Sequence, residues 1–415
     1  MKRSNNALSA ALFLTGGGLL ASDLAHAEFF ADGKASLHLR NYYFNGDNRQ
    51  EGAAQSKAEE WAQGFRLNYE SGFTEGPVGF GIDALGMLGI KLDSSPDRVG
   101  SGLLPGSFSE DDTAPDDYGQ LGLTFKARVS ESTLRVGTLR PSLPTILSTD
   151  RRLLPQTFRG THLQVAEFEG LTIDAGRLTR NSLLSESGFE KITMTGPGVA
   201  GGQETDKFDF AGVSYDWNSG LKTSYSYGHL DNNYKQHLVN LVNVLPLSRE
   251  RSFKSDIRYA RSNNAGSSNV DNNAFGAMFT YSLSGHSLGL AYQKMSGETG
   301  FPHVGGTDAF LVNYVMLAPT FANPNEKSWQ MRYDYNFANM GIPGLTFMTR
   351  YVRGSDFGPD RDGKEWERDT DIAYVFQDGV LKNLGVKWLN GTYRSAGARK
   401  IDQNRLIINY TLPLF

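Results

Sequence analysis

The 415-residue sequence contains no cysteine. That excludes a disulfide framework, a cysteine-based zinc site and a thiol nucleophile. Long apolar runs are also absent. A membrane helix needs about 18 consecutive apolar residues, and the nearest approach, 310–322, is broken by Asn313 and Pro319. There is no excess of one charge: 41 Lys and Arg face 45 Asp and Glu, a net of −4, without long single-sign runs. This disfavours nucleic acid as a partner. The seven histidines occupy no G-x-S-x-G or H-E-x-x-H setting, so neither a hydrolytic triad nor a zinc protease site is expected. The acidic cluster Glu110, Asp111, Asp112, Asp116 and Asp117 lacks the spacing of an EF-hand loop. No catalytic residue, metal site or cofactor is expected.

Aromatic residues and glycine are plentiful. Aromatics make up 12%, there are 47 glycines, and the mean hydropathy is −0.40. This is a composition of turns and membrane-interface residues, too polar for a helical membrane protein. Residues 1–27 read as a secretory signal: Lys2 and Arg3, an apolar stretch over 7–20, and the small-x-small site Ala25-His26-Ala27. The mature chain, 28–415, is expected to be one exported domain.

Beyond the signal, the sequence alternates at period two. In 119–129, Leu121, Leu123, Phe125, Ala127 and Val129 oppose Gln120, Thr124, Lys126 and Arg128. In the last stretch, QNRLIINYTLPLF, Leu406, Ile408, Tyr410 and Leu412 oppose Arg405, Ile407, Asn409 and Thr411. These are strands with one apolar face. Short turns such as 130–131, 169–170 and 378–379 are expected to alternate strictly with long polar connections at 45–59, 93–116, 181–206, 295–327 and 354–368. That asymmetry predicts an all-β, transmembrane, antiparallel up-and-down β-barrel of about 18 strands in the outer membrane of a Gram-negative bacterium. Both termini would lie on the side of the short turns. Outer-membrane lipid and lipopolysaccharide are then the expected surroundings. The barrel is expected to be a monomer, with a weak trimer as the alternative.

A barrel of this width encloses an aqueous lumen unless loops fold in. Arg40, Arg66, Lys91, Lys126, Arg128, Arg135, Arg350, Lys387 and Arg405 fall in phase with the polar strand faces and lie toward the two ends of the chain. Closure of the barrel would make them one basic wall, with acidic residues left to the loops. Such a wall lowers the barrier for an anion. The connection LRPSLPTILSTDRRLLPQTFRG at 139–160 is too apolar for a free loop, so it is expected to fold inward and bring Asp150, Arg151 and Arg152 to a constriction. These features point to passive, substrate-selective uptake of small carboxylates without ATP or proton coupling. An enzyme built on the barrel wall, or an adhesive barrel, would not need the basic wall.

Several segments resemble the OprD family of substrate-specific outer-membrane channels. They include LRNYYFNGD at 39–47, EWAQGFRLNYESGFTEGPVGFGIDALG at 60–86, RLLPQTFRGTHL at 152–163, EKSWQMRYDYN at 326–336 and GIPGLTFMTRYV at 341–352. The resemblance implies a monomeric eighteen-stranded barrel, narrowed by inward loops, with a basic ladder on either side of an eyelet. It implies small carboxylates as solutes. Where the family's basic-amino-acid channel has closely spaced arginines, this chain has Lys387-Trp388-Leu389. Its constriction loop looks more like the branch that prefers aromatic and cyclic monocarboxylates, the OpdK-like branch. Asp308 lies close to where some members place an acidic partner for a substrate ammonium, which keeps a basic amino-acid or peptide channel as the alternative.

Overall fold

The computed structural model describes residues 32–106, 113–317, 321–396 and 399–415. The expected signal peptide, 1–27, lies outside these residues, as do Glu110, Asp111 and Asp112. Eighteen antiparallel strands hydrogen-bond into one closed sheet. Numbered in chain order, the first nine are β1 Lys34–Asn48, β2 Lys57–Glu70, β3 Gly79–Asp93, β4 Asp117–Val129, β5 Ser132–Leu139, β6 Thr157–Phe168, β7 Leu171–Ser182, β8 Phe208–Asp216 and β9 Leu221–Leu230. The second nine are β10 Tyr234–Pro246, β11 Arg251–Asn264, β12 Asp271–Leu283, β13 His286–Ser296, β14 Lys327–Asn336, β15 Leu345–Phe357, β16 Gly363–Val375, β17 Gly385–Ser395 and β18 Lys400–Pro413. Each pairs with the next. β1 and β18 close the ring in a register running from Ser36↔Pro413 to Asn48↔Ile401. The closure continues beyond Pro413, because Leu414 N–H donates to the Ala35 carbonyl at 2.8 Å and Ala35 N–H donates to the Phe415 carbonyl at 3.1 Å.

The period-two pattern decides which way each face points, and it is inside out relative to a soluble barrel. On β4, Leu121, Leu123 and Phe125 are 85%, 55% and 63% exposed on the outer surface, while Gln120, Thr124 and Lys126 are buried in the lumen. An exposed apolar band of this kind is stable only against hydrocarbon, where a closed barrel leaves no unpaired backbone groups. Aromatic residues mark both edges of the band. Trp329, Tyr351 and Trp366 adjoin near one rim, with ring centroids 5.5 and 5.8 Å apart. Tyr335 with Phe337, and Tyr374 with Phe376, pair near the other. From Trp329 to Phe337 the chain climbs roughly 20 Å along the barrel axis, at ~3.3 Å per residue and a tilt of about 40°.

The rim away from the termini carries the four longest connections, 94–116, 140–156, 183–207 and 297–326. Strict alternation of long and short connections does not hold. At the same rim, 231–233 and 358–362 are short, and the connections expected at 45–59 and 354–368 shrink to 49–56 and 358–362. The strands run on above the lipid band, through Asp47↔Lys57 and Phe357↔Gly363. Ladder pairing satisfies backbone N–H and C=O groups even where side chains no longer alternate.

Two of the long loops fill the lumen. In 140–156, Leu153 and Leu154 pack with Tyr42, Phe44 and Ala62 of the wall. Ile146 packs with Phe158, Leu178, Phe208 and Phe210 on the other side. Wall glycines admit these loops. A Cβ on Gly64 would lie 3.1 Å from Leu153, and one on Gly276 would lie 2.9 Å from Val312 of the 297–326 loop. Short ladders brace the loops: Ser142–Leu143 pairs with Ile146–Leu147, and Met194–Thr195 pairs with His303–Val304.

Candidate functional site

The two inward loops meet at the narrowest part of the lumen. Asp150, at the tip of 140–156, is held by three guanidinium groups: Arg40 at 2.8 Å, Arg66 at 3.1 Å and Arg140 at 3.2 Å. Burial alone would raise the Asp150 carboxyl, but the charges of Arg40, Arg66 and Arg140 outweigh it and hold the pKa below its ordinary value. Asp150 is therefore a fixed anion that gathers cations around the opening.

Arg151 latches this loop to 297–326. Its Nε lies 3.2 Å from Asp308. Its guanidinium donates to the Tyr314 hydroxyl at 2.6 Å and to the Val315 carbonyl at 2.9 Å. Tyr314 donates in turn to Asp308 at 2.8 Å, and the Arg151 guanidinium stacks 4.4 Å from the Tyr314 ring. The Asp308 N–H donates to the Leu147 carbonyl at 2.9 Å. Arg152 points behind the loop and donates to the Ser101 carbonyl at 2.9 Å. Burial, and next the nearby Arg405 charge, bring the Arg152 pKa down to about 10, so it remains a cation at neutral pH.

Arg151, Arg152, Asp308 and Tyr314 separate two spaces. Toward the loop rim lies a chamber of about 470 Å³ that also touches His303, Tyr393 and Arg399. Toward the turn rim lies one of about 440 Å³. Arg40, Arg350, Lys387 and Arg405 bring cations to this second chamber, and Val315, Met316, Leu389 and Ile407 bring apolar surface; on the wall the two kinds alternate, Leu389 beside Arg405 and Ile407 beside Lys387 in the register. Burial drives His303 down to about 4, so it faces the upper chamber uncharged.

The lumen residues read from the sequence separate into three levels. Arg40, Arg66, Arg350, Lys387, Arg405, Asp150, Arg151, Arg152 and Asp308 assemble at the eyelet or in the chamber beneath it. Lys126, Arg128 and Arg135 line a basin of about 760 Å³ at the turn rim, shared with Lys34, Asp83 and Glu131. There Phe73 lies 4.9 Å from the Lys126 ammonium and 4.3 Å from the Arg128 guanidinium. Lys91 stands apart at the loop rim, where it holds Asp116 at 2.8 Å and the Ala114 carbonyl at 2.7 Å.

Two expectations are corrected. Acidic residues are not confined to loops: Asp83, Asp369 and Asp371 lie on the wall and pair with Lys126, Arg350 and Lys387 at 2.6, 2.7 and 2.5 Å. A cation in a partly dehydrated lumen is stabilised by such a partner. Nor are the lumen cations confined to one side. Arg332 stands beside Arg350 in the register, and with Arg258 and Lys254 it carries the cations on around the wall, each arginine holding the aspartate two residues away, Asp256 or Asp334, through two hydrogen bonds. The sequence signal was D-x-R and R-x-D at strand spacing, which puts both charges on one face. Arg140 and Tyr314 were also missed, because their roles depend on loop contacts that no local pattern encodes.

A family model for outer membrane porins of the OprD family matches residues 27–414. This chain belongs to the OprD family. It is 36% identical to Porin D of Pseudomonas aeruginosa, over 95% of this chain and 94% of that one. The crystal structure of Pseudomonas aeruginosa OpdQ aligns with a TM-score of 0.86 and 56% identity, covering 94% of this chain and all, 100%, of OpdQ. The structure of Pseudomonas aeruginosa OpdK with vanillate aligns with a TM-score of 0.85 and 35% identity, covering 93% and 100% of the two chains. The OprD-family porin described here is thus an outer-membrane protein of a Gram-negative bacterium. Its turn rim faces the periplasm and its loop rim faces outward.

Proposed function

We propose that this porin admits small carboxylates by passive diffusion and favours aromatic or cyclic monocarboxylates. The observation that carries this reading is the chamber beneath the eyelet, where cations and apolar side chains stand next to one another on the wall. Arg40, Arg350, Lys387 and Arg405 can hold a carboxylate, while Val315, Met316, Leu389 and Ile407 receive an apolar ring. The eyelet acids are already engaged, which leaves no free partner there for a substrate ammonium. Asp308 is occupied by Arg151 and Tyr314, and Asp150 by three arginines. A solute ammonium would have to displace a bound guanidinium at either site. The similarity to OpdK, whose structure holds vanillate, supports the same class.

In this mechanism the carboxylate leaves the upper chamber, passes Arg151 and is handed to Arg405, Arg40 and Lys387 as its ring slides along Leu389 and Ile407. It then descends to the basin of Lys126, Arg128 and Arg135. The driving force is the solute's own gradient. Liposome uptake of benzoate, vanillate, arginine and glucose tests the proposal. Benzoate and vanillate should enter faster than arginine and glucose, and a fast arginine rate with slow benzoate would overturn it in favour of the amino-acid alternative.

A further inference from the structure

We infer that the outer face of β13–β16 is a binding site for a diphosphorylated glycolipid of the outer leaflet. On these strands the residues facing lipid near the loop rim form three rows. Lys294, Lys327, Ser355 and Lys364 are register neighbours in the top row. Tyr292, Trp329, Arg353 and Trp366 form the second. Leu290, Met331, Tyr351 and Arg368 form the third. Cations and aromatic rings therefore interleave over one patch, with Arg353 directly between two tryptophans.

Three observations separate this patch from ordinary solvated charge. First, Lys294 and Lys327 stand directly opposite on adjacent strands. Like charges in that position repel, and a shared anion relieves the repulsion. Second, the carboxylates needed to neutralise the patch are lacking. Lys327 pairs with Asp356 at 2.8 Å, whereas Lys294, Arg353, Lys364 and Arg368 make no ion pair among the described residues. Asp360 and Asp362 lie in the turn above, alongside Arg361. Several other cations at this level come with their acids: Lys57 and Arg98 with Glu59, Arg49 with Asp47 and Asp402, Arg177 with Asp209, and Arg261 with Asp271; Lys235 and Lys400 make no ion pair among the described residues but lie on other strands. Third, the height is right for a headgroup. The patch contains the upper aromatic girdle, where amphipathic rings sit at the level of lipid headgroups. Leu290 and Met331 in its lowest row, and Ile372 below them, are exposed apolar surface.

The spread of the cations selects the ligand chemistry. Lys364 and Arg368 are four residues apart on one strand, about 13 Å. Lys294 is three strands from them, about 14 Å at ~4.8 Å per strand. A lipid bearing two phosphates on a rigid sugar core can engage both ends of this patch, with its acyl chains along Leu290 and Met331. A single glycerophosphate reaches only one end.

The test is native mass spectrometry of the full-length mature porin in detergent, titrated with diphosphoryl lipid A, dephosphorylated lipid A, phosphatidylglycerol and inorganic phosphate. Diphosphoryl lipid A should bind wild-type porin at least tenfold more tightly than each of the other three. The triple variant Lys294→Gln/Arg353→Gln/Arg368→Gln should lose that tenfold advantage, since it removes three of the cations that hold the phosphates. A control variant on other strands, Lys235→Gln/Lys400→Gln, should bind within twofold of wild type, and both variants should keep wild-type conductance. The inference is overturned if dephosphorylated lipid A or phosphatidylglycerol binds as well as the diphosphoryl form. It is also overturned if both variants lose lipid equally, or if the patch is instead covered by a second copy whose dimer peak disappears in the triple variant. The wild-type lipid comparison stands even should the triple variant not fold.

Discussion

Replacing Asp150 with Asn tests the electrostatics of the eyelet most directly. The carboxylate faces Arg40, Arg66 and Arg140 at 2.8 to 3.2 Å, and its side chain is 32% exposed. At an effective dielectric of 20, an ion passing about 6 Å away feels ~2.8 kcal/mol from one charge. Screening over a Debye length of ~8 Å at physiological salt reduces this to about 1.3 kcal/mol, close to tenfold in an ion's occupancy. Asp150→Asn therefore raises anion occupancy and lowers cation occupancy by roughly tenfold each. In planar bilayers with a KCl gradient, the reversal potential should move toward the chloride equilibrium value. Arg40→Gln should move it the other way. Because Asp150 is partly exposed, losing its ion pairs costs the fold only about 1–2 kcal/mol, and the barrel should still form. An unchanged reversal potential in folded Asp150→Asn, or a shift toward the potassium value, would refute the assignment of Asp150 to the permeation path.

Neutralising Arg66, Arg128 and Lys387 together should slow benzoate uptake into liposomes by at least tenfold and shift the reversal potential toward cations. Tyr314→Phe removes the hydroxyl that joins Arg151 to Asp308; single-channel recordings should show more frequent current fluctuations with little change in thermal stability, about 1 kcal/mol or less. The Glu326 carboxyl, at the base of the 297–326 loop, is buried against Glu365, and its pKa is raised to about 9 from an ordinary 4.5. A raised acid contributes fully to folding below its unfolded pKa, and the contribution declines as pH rises and is gone once the folded pKa is passed. Current noise in bilayers should therefore grow as pH rises toward and through about 9, as Glu326 ionises and the loop loosens, and Glu326→Gln should remove that dependence.

The barrel was legible because lipid imposes a simple rule on each strand. Leu121, Leu123 and Phe125 on one face, with Gln120, Thr124 and Lys126 on the other, announce both the strand and its orientation. The apolar content of 140–156 likewise announced an inward loop, since Ile146, Leu153 and Leu154 need a wall to cover them. Loop lengths were less legible. Backbone pairing in β15 and β16 continues where the side-chain pattern has already dissolved. Pairing between charges was the least legible of all. Arg350 meets Asp369 because the strands align Arg350 opposite Asp369 in the register, and nothing local to either residue records that. Only i, i+2 pairs such as Asp256 with Arg258 were within reach of a single-sequence reading.

These pairings change how the basic wall must work. An unpaired arginine in a dehydrated constriction would bind a carboxylate tightly and release it slowly. An arginine already held by an aspartate offers a weaker, shared site, and conduction needs sites that release as readily as they bind. Arg40, Arg350 and Lys387 each keep an aspartate partner at 2.5 to 2.8 Å. Arg405 makes no ion pair among the described residues: it donates to the Gln403 side chain and the Met316 carbonyl and lies 5.6 Å over the Phe44 ring. On the wall of that chamber it stands beside Leu389, its register partner, and Ile407, two residues along the same strand. Arg405 is thus the cation best able to compete for a solute carboxylate at the eyelet, and its neighbours set the slope down which that solute leaves.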